Sequence, residues 1–248
     1  MLISIVTPTY NSAETVKDTL SSVAMQKGVE VEHIIVDGLS KDNTIELVKS
    51  FPHVARVDSE KDGGIYDAMN KGIRRANGDI VGILNSDDLY AHPDVLRKVA
   101  ELFEDESIDA VYADLEYVER ENTNKVVRYW RSGKYNTNQF YYGWMPPHPT
   151  FFIRRHFYEK FGEFNCKLRS AADYELMLRF LLKHKLKPAY LPEVIVKMRT
   201  GGMSNASFSN RLKANREDRE AWRMNAIQPF FFTLFLKPFR KILQYVNR

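Results

Sequence analysis

The stretch GDIVGILNSDDLY, residues 78–90, decides the architecture. Ile80 to Leu84 is short, rich in β-branched residues and almost without polar side chains, as a central strand buried on both faces of a parallel sheet requires. The run stops on two adjacent carboxylates, Asp87 and Asp88, just past the strand's carboxyl end. Open α/β sheets hold their ligands in the crevice outside those strand ends. Two neighbouring carboxylates repel each other unless a cation lies with them, and a hard divalent ion prefers oxygen ligands of this kind. The pair reads as a metal-diphosphate site, or as an Asp-rich turn capping a helix that begins near Pro93.

Working outward, strand-like runs alternate with segments of helical period from residue 2 to about 113. The strands are Leu2 to Thr7, His33 to Val36, Val54 to Val57, Ile80 to Leu84 and Ala110 to Tyr112, with helices near 13–25, 42–51, 65–76 and 93–104. Repeated βα units predict a Rossmann-like, largely parallel sheet with helices on both faces. ThrProThrTyrAsn after the first strand and AspGly after the second bring polar groups to the same edge as Asp87 and Asp88. Helix 65–76 sets Ile65, Met69, Gly72, Ile73 and Ala76 on a packing face, with Asp67, Asn70, Lys71 and Arg74 opposite. GluLysAspGlyGly, residues 60–64, precedes it, and its glycines allow a tight turn against a ligand or simply a charged surface loop.

Beyond residue 113 the pattern changes. Leu115 to Val118 and Lys125 to Trp130 read as a hairpin, and the aromatic run 140–149 fits either an acceptor pocket or an irregular lid, with His148 as a structural histidine. Thr150 to Ile153 reads as a strand, 155–161 as a short helix, and 170–180 as an amphipathic helix with Asp173 in its first turn. That acid suits the helix dipole and is also rigidly placed to meet a substrate. Glu175 and Arg179, at i and i+4, predict a surface ion pair. Glu193 to Met198 is a further strand, and Arg199 opens a glycine-bearing loop, 199–205, from which it is expected to reach a phosphate. A helix near 207–224 follows, then a tail, 229–248, that is apolar first and basic afterwards. The tail resembles an interfacial segment with Lys237, Arg240, Lys241 and Arg248 toward anionic headgroups, and equally fits a dimer contact or packing on its own domain.

The 248 residues, 44% of them apolar, suffice for a large core, divided here into 1–205, with halves 1–113 and 114–205, and an extension, 206–248. A net charge of +4 gives no case for nucleic acid. One cysteine, Cys166, excludes an internal disulfide framework, fits a reducing compartment and reads as buried filler. The opening MLISIVTPTYN lacks a basic region and is cut short at Pro8, and no run reaches the roughly 18 apolar residues of a membrane span. A cytoplasmic protein, touching the inner face of the membrane at most peripherally, is expected.

Five segments occur in an order that resembles the family 2 glycosyltransferases: ThrProThrTyrAsn, the strand-end AspGly with SerLysAspAsnThr, GluLysAspGlyGlyIleTyrAspAlaMetAsnLysGly, LeuAsnSerAspAsp and AlaAspTyrGluLeu, across residues 1 to about 205. The IleTyrAspAlaMetAsnLysGly segment is most similar to enzymes of bacterial surface-polysaccharide assembly. The resemblance implies a GT-A fold, a nucleotide-diphosphate sugar donor, a divalent metal (Mn2+ or Mg2+), inversion at the anomeric carbon, and a glycan or lipid-linked acceptor. It places Pro8, Thr9, Asn11, Asp37, Asp62, Asn70, Asp87 and Arg199 on the nucleotide sugar. Asp87 and Asp88 fall on the metal, with Asn85 where the commoner pattern has its first acid, and Asp173 falls on the catalytic base. The QxxRW motif of chain-elongating members is missing. Against a sugar nucleotidyltransferase stands a first βα turn, residues 7–12, without glycine, and the GxGxxG of a dinucleotide oxidoreductase is missing there too. An inactive nucleotide-sugar-binding protein is the reading from a different class.

Overall fold

Three βα units and a fourth strand build the first half of the chain. β1 (Leu2–Thr9), α1 (Val16–Ala24), β2 (Glu30–Asp37), α2 (Thr44–Lys49), β3 (Val54–Ser59), α3 (Ile65–Arg75) and β4 (Ile80–Ile83) follow one another, and the four strands pair in parallel as β3-β2-β1-β4. The structure is a computed structural model and describes residues 1–201 and 208–237. After β4 come β5 (Leu89–Tyr90), α4 (Val95–Phe103), β6 (Ala110–Val118), β7 (Val126–Trp130), β8 (Phe152–Arg154), α5 (His156–Phe161), α6 (Ala172–Met177), β9 (Pro188–Arg199) and α7 (Phe208–Met224). They extend the sheet to β3-β2-β1-β4-β8-β6-β9-β5, with β7 beside β6. β8 is antiparallel to both β4 and β6, β9 is parallel to β6, and β5 is antiparallel to β9.

Strand periodicity distributes the core. Ile80, Val111 and Phe152 face one side of the sheet, with Val95, Leu96, Val99 and Phe103 of α4. Their sequence neighbours Val81, Ala110 and Ile153 face the other, with Met69 and Ile73 of α3 and Leu176 and Met177 of α6, as alternation in a pleated strand demands. At Gly72 any Cβ would lie 2.2 Å from Val6 Cγ1, so only glycine lets α3 lie this close to β1. Gly64 starts α3 at φ +115°, a backbone that L side chains rarely adopt.

Several expectations need correction. Ala110 to Val118 is one continuous strand, its first half held by β8 and its second by β7, and not a strand followed by a separate hairpin arm. Ile65 is exposed and Asn70 buried, the reverse of the expected helix faces. The amphipathic helix from Asp173 changes at Leu178–Lys183 to π-type winding. Cys166 is exposed rather than filler, because the turn that carries it lies at the surface. Glu175 and Arg179 pair at 2.9 Å, but with only 5% and 13% of their side chains exposed. Arg179 also donates to the carbonyls of Phe161, Gly162 and Glu163, which fixes the turn after α5. Among the described residues no helix is long and apolar enough to cross a membrane.

Candidate active site

The carboxyl ends of β1, β2 and β4 form one rim. Asp37, at the end of β2, is fully buried; its Oδ1 accepts from Thr9 Oγ1 (3.1 Å) and the Ser40 hydroxyl, and its Oδ2 from Ser40 N (3.0 Å) and Ser59 Oγ (2.7 Å). The acid thus ties the ends of β1, β2 and β3 together. Pro8, opposite Val36 in the β1–β2 register, is buried. Asn11 adopts a left-handed backbone (φ 47°), and its Oδ1 accepts from Lys41 N at 2.8 Å, joining the loops that follow β1 and β2. Asp62 is partly exposed and accepts from Gly64 N at 2.9 Å; a Cβ on Gly38 would lie 2.5 Å from its Oδ2. Gly38 therefore makes the space that Asp62 occupies, with the exposed ring of Tyr10 alongside.

Past β4, Asp88 is wholly buried. Asn85 Nδ2 donates to its Oδ2 at 2.9 Å, while Asp88 Oδ1 and Asn85 Oδ1 have no hydrogen-bond partner among the described residues. Burial, and then the charge of adjacent Asp87, raise the Asp88 carboxyl well above the usual carboxylate range. The Asp87 carboxylate is partly exposed and makes no hydrogen bond or ion pair among the described residues. An unsatisfied buried oxygen of this kind costs free energy, and a second acid beside it adds repulsion. Both defects disappear if a cation joins them, so the donor set fits a divalent ion. No group of three or more His, Cys, Asp or Glu able to hold a metal exists among the described residues. Two carboxylates with substrate phosphates are a common way of holding Mg2+.

Arg199 is placed behind this turn. It is 5% exposed, and its guanidinium donates to Asp87 O (2.8 Å), Arg120 O (3.0 Å) and the Asp18 carboxylate. The expected reach to a phosphate is replaced by a clamp on the acidic turn. The pairing of β5 with β9 brings the two segments together. The rest of the expected loop beyond Gly201 lies outside the described residues.

Asp173, in the first turn of α6, is partly exposed. Its Oδ1 accepts from Tyr174 N (2.8 Å) and from the hydroxyl of Tyr66 (3.3 Å), which stands in the first turn of α3. That turn follows the β3–α3 loop, so Asp173 lies toward the rim that holds Asp62. Asn70, one helical turn beyond Tyr66, sends Nδ2 to Phe164 O (2.8 Å) and Cys166 Sγ (3.3 Å) and accepts from Phe164 N (2.9 Å). Both ends of its carboxamide hold the chain at 164–166, where the sequence had suggested a nucleotide sugar. His148 meets the Phe164 ring edge-on (5.4 Å); burial lowers its imidazole below the usual histidine value, and the charge of Asp173 works the other way.

Sequence reasoning missed the contribution of α7 to this arrangement. Glu217 accepts from Arg169 N, Ser170 N and Ser170 Oγ, directly before Asp173. Trp222 Nε1 donates to Tyr174 OH (2.9 Å), and Asn225 Nδ2 to Glu175 O (3.2 Å). Lys237, expected to face headgroups, instead pairs with Asp218 (2.6 Å) and lies 3.5 Å from the Tyr174 ring centre. Arg240, Lys241 and Arg248 lie outside the described residues. In the aromatic run, Phe140 and Trp144 are core and Tyr142 is exposed.

The Glycosyl transferase family 2 model matches residues 4–162. A PGL/p-HBAD biosynthesis glycosyltransferase of Mycobacterium tuberculosis is 30% identical over 210 residues, covering 82% of this chain and 79% of that one. Among solved structures, S. aureus TarS 1-349 in complex with UDP-GlcNAc is similar with a TM-score of 0.70 and 20% identity over 91% of this chain. The chain spans 66% of that TarS fragment, just under two thirds of its length. A mannosyltransferase from Pyrobaculum calidifontis, in complex with GDP-Man and Mn2+, gives a TM-score of 0.67 at 18% identity over 96% of this chain and 69% of the other. Likenesses this distant concern the fold. Sheet order, acidic strand end and these matches together define a glycosyltransferase of GT-A fold. The chain belongs to Glycosyl transferase family 2.

Proposed function

We propose that the protein is an inverting, metal-dependent, non-processive hexosyltransferase, moving a sugar from a nucleotide diphosphate to a hydroxyl of a glycan or lipid-linked acceptor in cell-surface polysaccharide assembly at the cytoplasmic face of the membrane. The observation that carries this reading is the pair of orphaned buried oxygens, Asp88 Oδ1 and Asn85 Oδ1, beside unpaired Asp87 at the end of β4. Two structural neighbours were solved with nucleotide sugars, UDP-GlcNAc and GDP-Man, the second with Mn2+, which supports a donor of this class.

In the proposed reaction Thr9, Asp37 and Asp62 shape the nucleoside end of the crevice, with Gly38 leaving room there and Tyr10 offering an aromatic face. Asp87 and Asp88 would hold the divalent ion, which when bound neutralises charge developing on the departing diphosphate. Arg199 keeps their turn in place from behind. Asp173 takes the proton from the acceptor hydroxyl as that oxygen attacks the anomeric carbon opposite the leaving group. No covalent sugar-enzyme intermediate is needed, and one attack from one face gives inversion.

A thermal-shift panel with UDP-, GDP- and dTDP-sugars, each with Mn2+, Mg2+ or EDTA, tests the reading. A donor at about 100 times its Kd adds roughly 2.7 kcal/mol, which raises Tm by about 5–10 °C in a chain of this size. The shift is expected for one nucleotide only with metal, and Asp88→Ala should remove the metal-dependent part. Equal stabilisation in EDTA would remove the metal from the mechanism.

A separate observation favours contact with a lipid surface. Phe231 is 89% exposed and Phe235 61%, near half-exposed Phe230 and Tyr142. Such a cluster resembles an aromatic face for the interface. Sedimentation with anionic and neutral vesicles should show binding that Phe231→Ser with Phe235→Ser abolishes; unchanged binding by that variant would exclude this face.

A further inference from the structure

The segment IleTyrAspAlaMetAsnLysGly, residues 65–72, follows the loop that carries Asp62, yet two of its polar side chains find their partners far along the chain. Tyr66 reaches Asp173, which is 107 residues away in sequence, and Asn70 grips the backbone of Phe164. We infer that Tyr66 is the positioning residue of the base Asp173, so that the first turn of α3 serves proton removal from the acceptor as well as bordering the donor.

Four observations carry this. Two donors, Tyr66 OH at 3.3 Å and Tyr174 N at 2.8 Å, converge on the same oxygen, Asp173 Oδ1. Oδ2 has no hydrogen-bond partner among the described residues, so the carboxylate is oriented through one oxygen and free to accept a proton at the other. The Tyr66 ring is fixed by stacking on Phe164 (5.6 Å between centroids, 25° between planes), and Phe164 is held in turn by Asn70 of the same helix. Burial, and then the charge of Asp173, push the Tyr66 phenol far up, so it stays protonated and donates throughout the working pH range. The other ionisable groups around the pair are His148, whose charged form burial disfavours, and Glu217 of α7, which caps the 169–170 turn and adds to the field at Tyr66.

The inference rests on Asp173 being the base, and the test separates the two. The full chain is labelled with [γ-13C]aspartate and titrated by NMR, the Asp173 resonance being assigned by its absence in Asp173→Asn. Tyr66→Phe keeps the ring on Phe164 and deletes only the donor. A hydrogen bond to a carboxylate favours its charged form, so the variant's titration curve at this residue should move to higher pH than that of the wild type. His148 and Glu217 are common to both proteins and cancel in the difference. Superimposable titrations of wild type and Tyr66→Phe would overturn the inference. In parallel, nucleotide release from a stabilising UDP-, GDP- or dTDP-sugar, with water as acceptor, should show kcat down about tenfold at neutral pH with donor KM unchanged. A rise in donor KM without loss of kcat would put Tyr66 on the donor and also overturn it. Wild-type rates in Asp173→Asn would instead remove the base assignment, whatever the titration shows.

Discussion

Replacing Asn70 by alanine removes a two-way clamp. The side chain donates to Phe164 O at 2.8 Å and accepts from Phe164 N at 2.9 Å, and both residues are nearly inaccessible, at 3% and 4% exposure. Each buried backbone group left without a partner costs about 1–3 kcal/mol. The neighbouring Cys166 is exposed, so water reaches part of the turn and the lower half of the summed range applies, about 2–4 kcal/mol. That is a large part of the stability of an ordinary domain, about 5–15 kcal/mol, and lowers Tm by about 4–16 °C. Urea unfolding should show a lower midpoint with unchanged m. Asn70→Asp should be at least as damaging, because a carboxylate oxygen then faces Phe164 O. A loss below about 1 kcal/mol in Asn70→Ala, together with weakened donor binding, would refute the anchoring role and return Asn70 to the nucleotide sugar.

Asp173→Asn should retain metal-dependent donor stabilisation while transfer falls about 10²–10⁴-fold; near-normal transfer would remove it from the base role. Arg199→Leu strips donors from the carbonyls of Asp87 and Arg120 and should weaken metal-dependent donor binding as well as stability, both readable by thermal shift. Asp18→Asn, by contrast, alters a carboxylate that is 54% exposed and should cost under about 1 kcal/mol. Gly72→Ala drives a methyl into Val6 and should cost about 1–3 kcal/mol by urea unfolding. His33 is fully buried between Thr7 and His53, and burial, then the charge of His53, lower its pKa to about 3. Its unfolded form binds the proton more readily, so stability is lost as pH falls from about 6.5 toward 3, by up to about 1.4 kcal/mol per unit. Unfolding free energies of His33→Gln should show a flatter slope between pH 6.5 and 5.

The parallel half was legible because each strand is a short apolar run and each ends on polar residues, which the buried β4 illustrates best. β5 was not, since Leu89–Tyr90 has no pattern of its own and exists only because β9 runs beside it. The acids were legible as residue types at strand and helix ends. Their supporting contacts were not: Arg199 meets Asp18 across 181 positions, and Tyr66 meets Asp173 across 107. Asn70 illustrates the limit of helical periodicity, which takes a polar side chain as facing solvent when a distant backbone turn supplies its partners. Likewise, the i,i+4 pair of Glu175 and Arg179 was readable, whereas its burial depends on the turn after α5 and on Asn225 just past α7.

The bracing of α6 by α7 has a consequence for the order of assembly. A chain emerging from the ribosome folds from its amino end, so the parallel βα units can form first, while the turn of Asp87 and Asp88 waits for Arg199 of β9. The helix bearing Asp173 is made next, but Glu217, Trp222 and Asn225, which hold its start and its first turns, follow only later. A nascent chain would therefore acquire its parallel strands before either the acidic turn or the proposed base, Asp173, is fixed. On the proposed mechanism, catalytic competence would wait for the docking of α7.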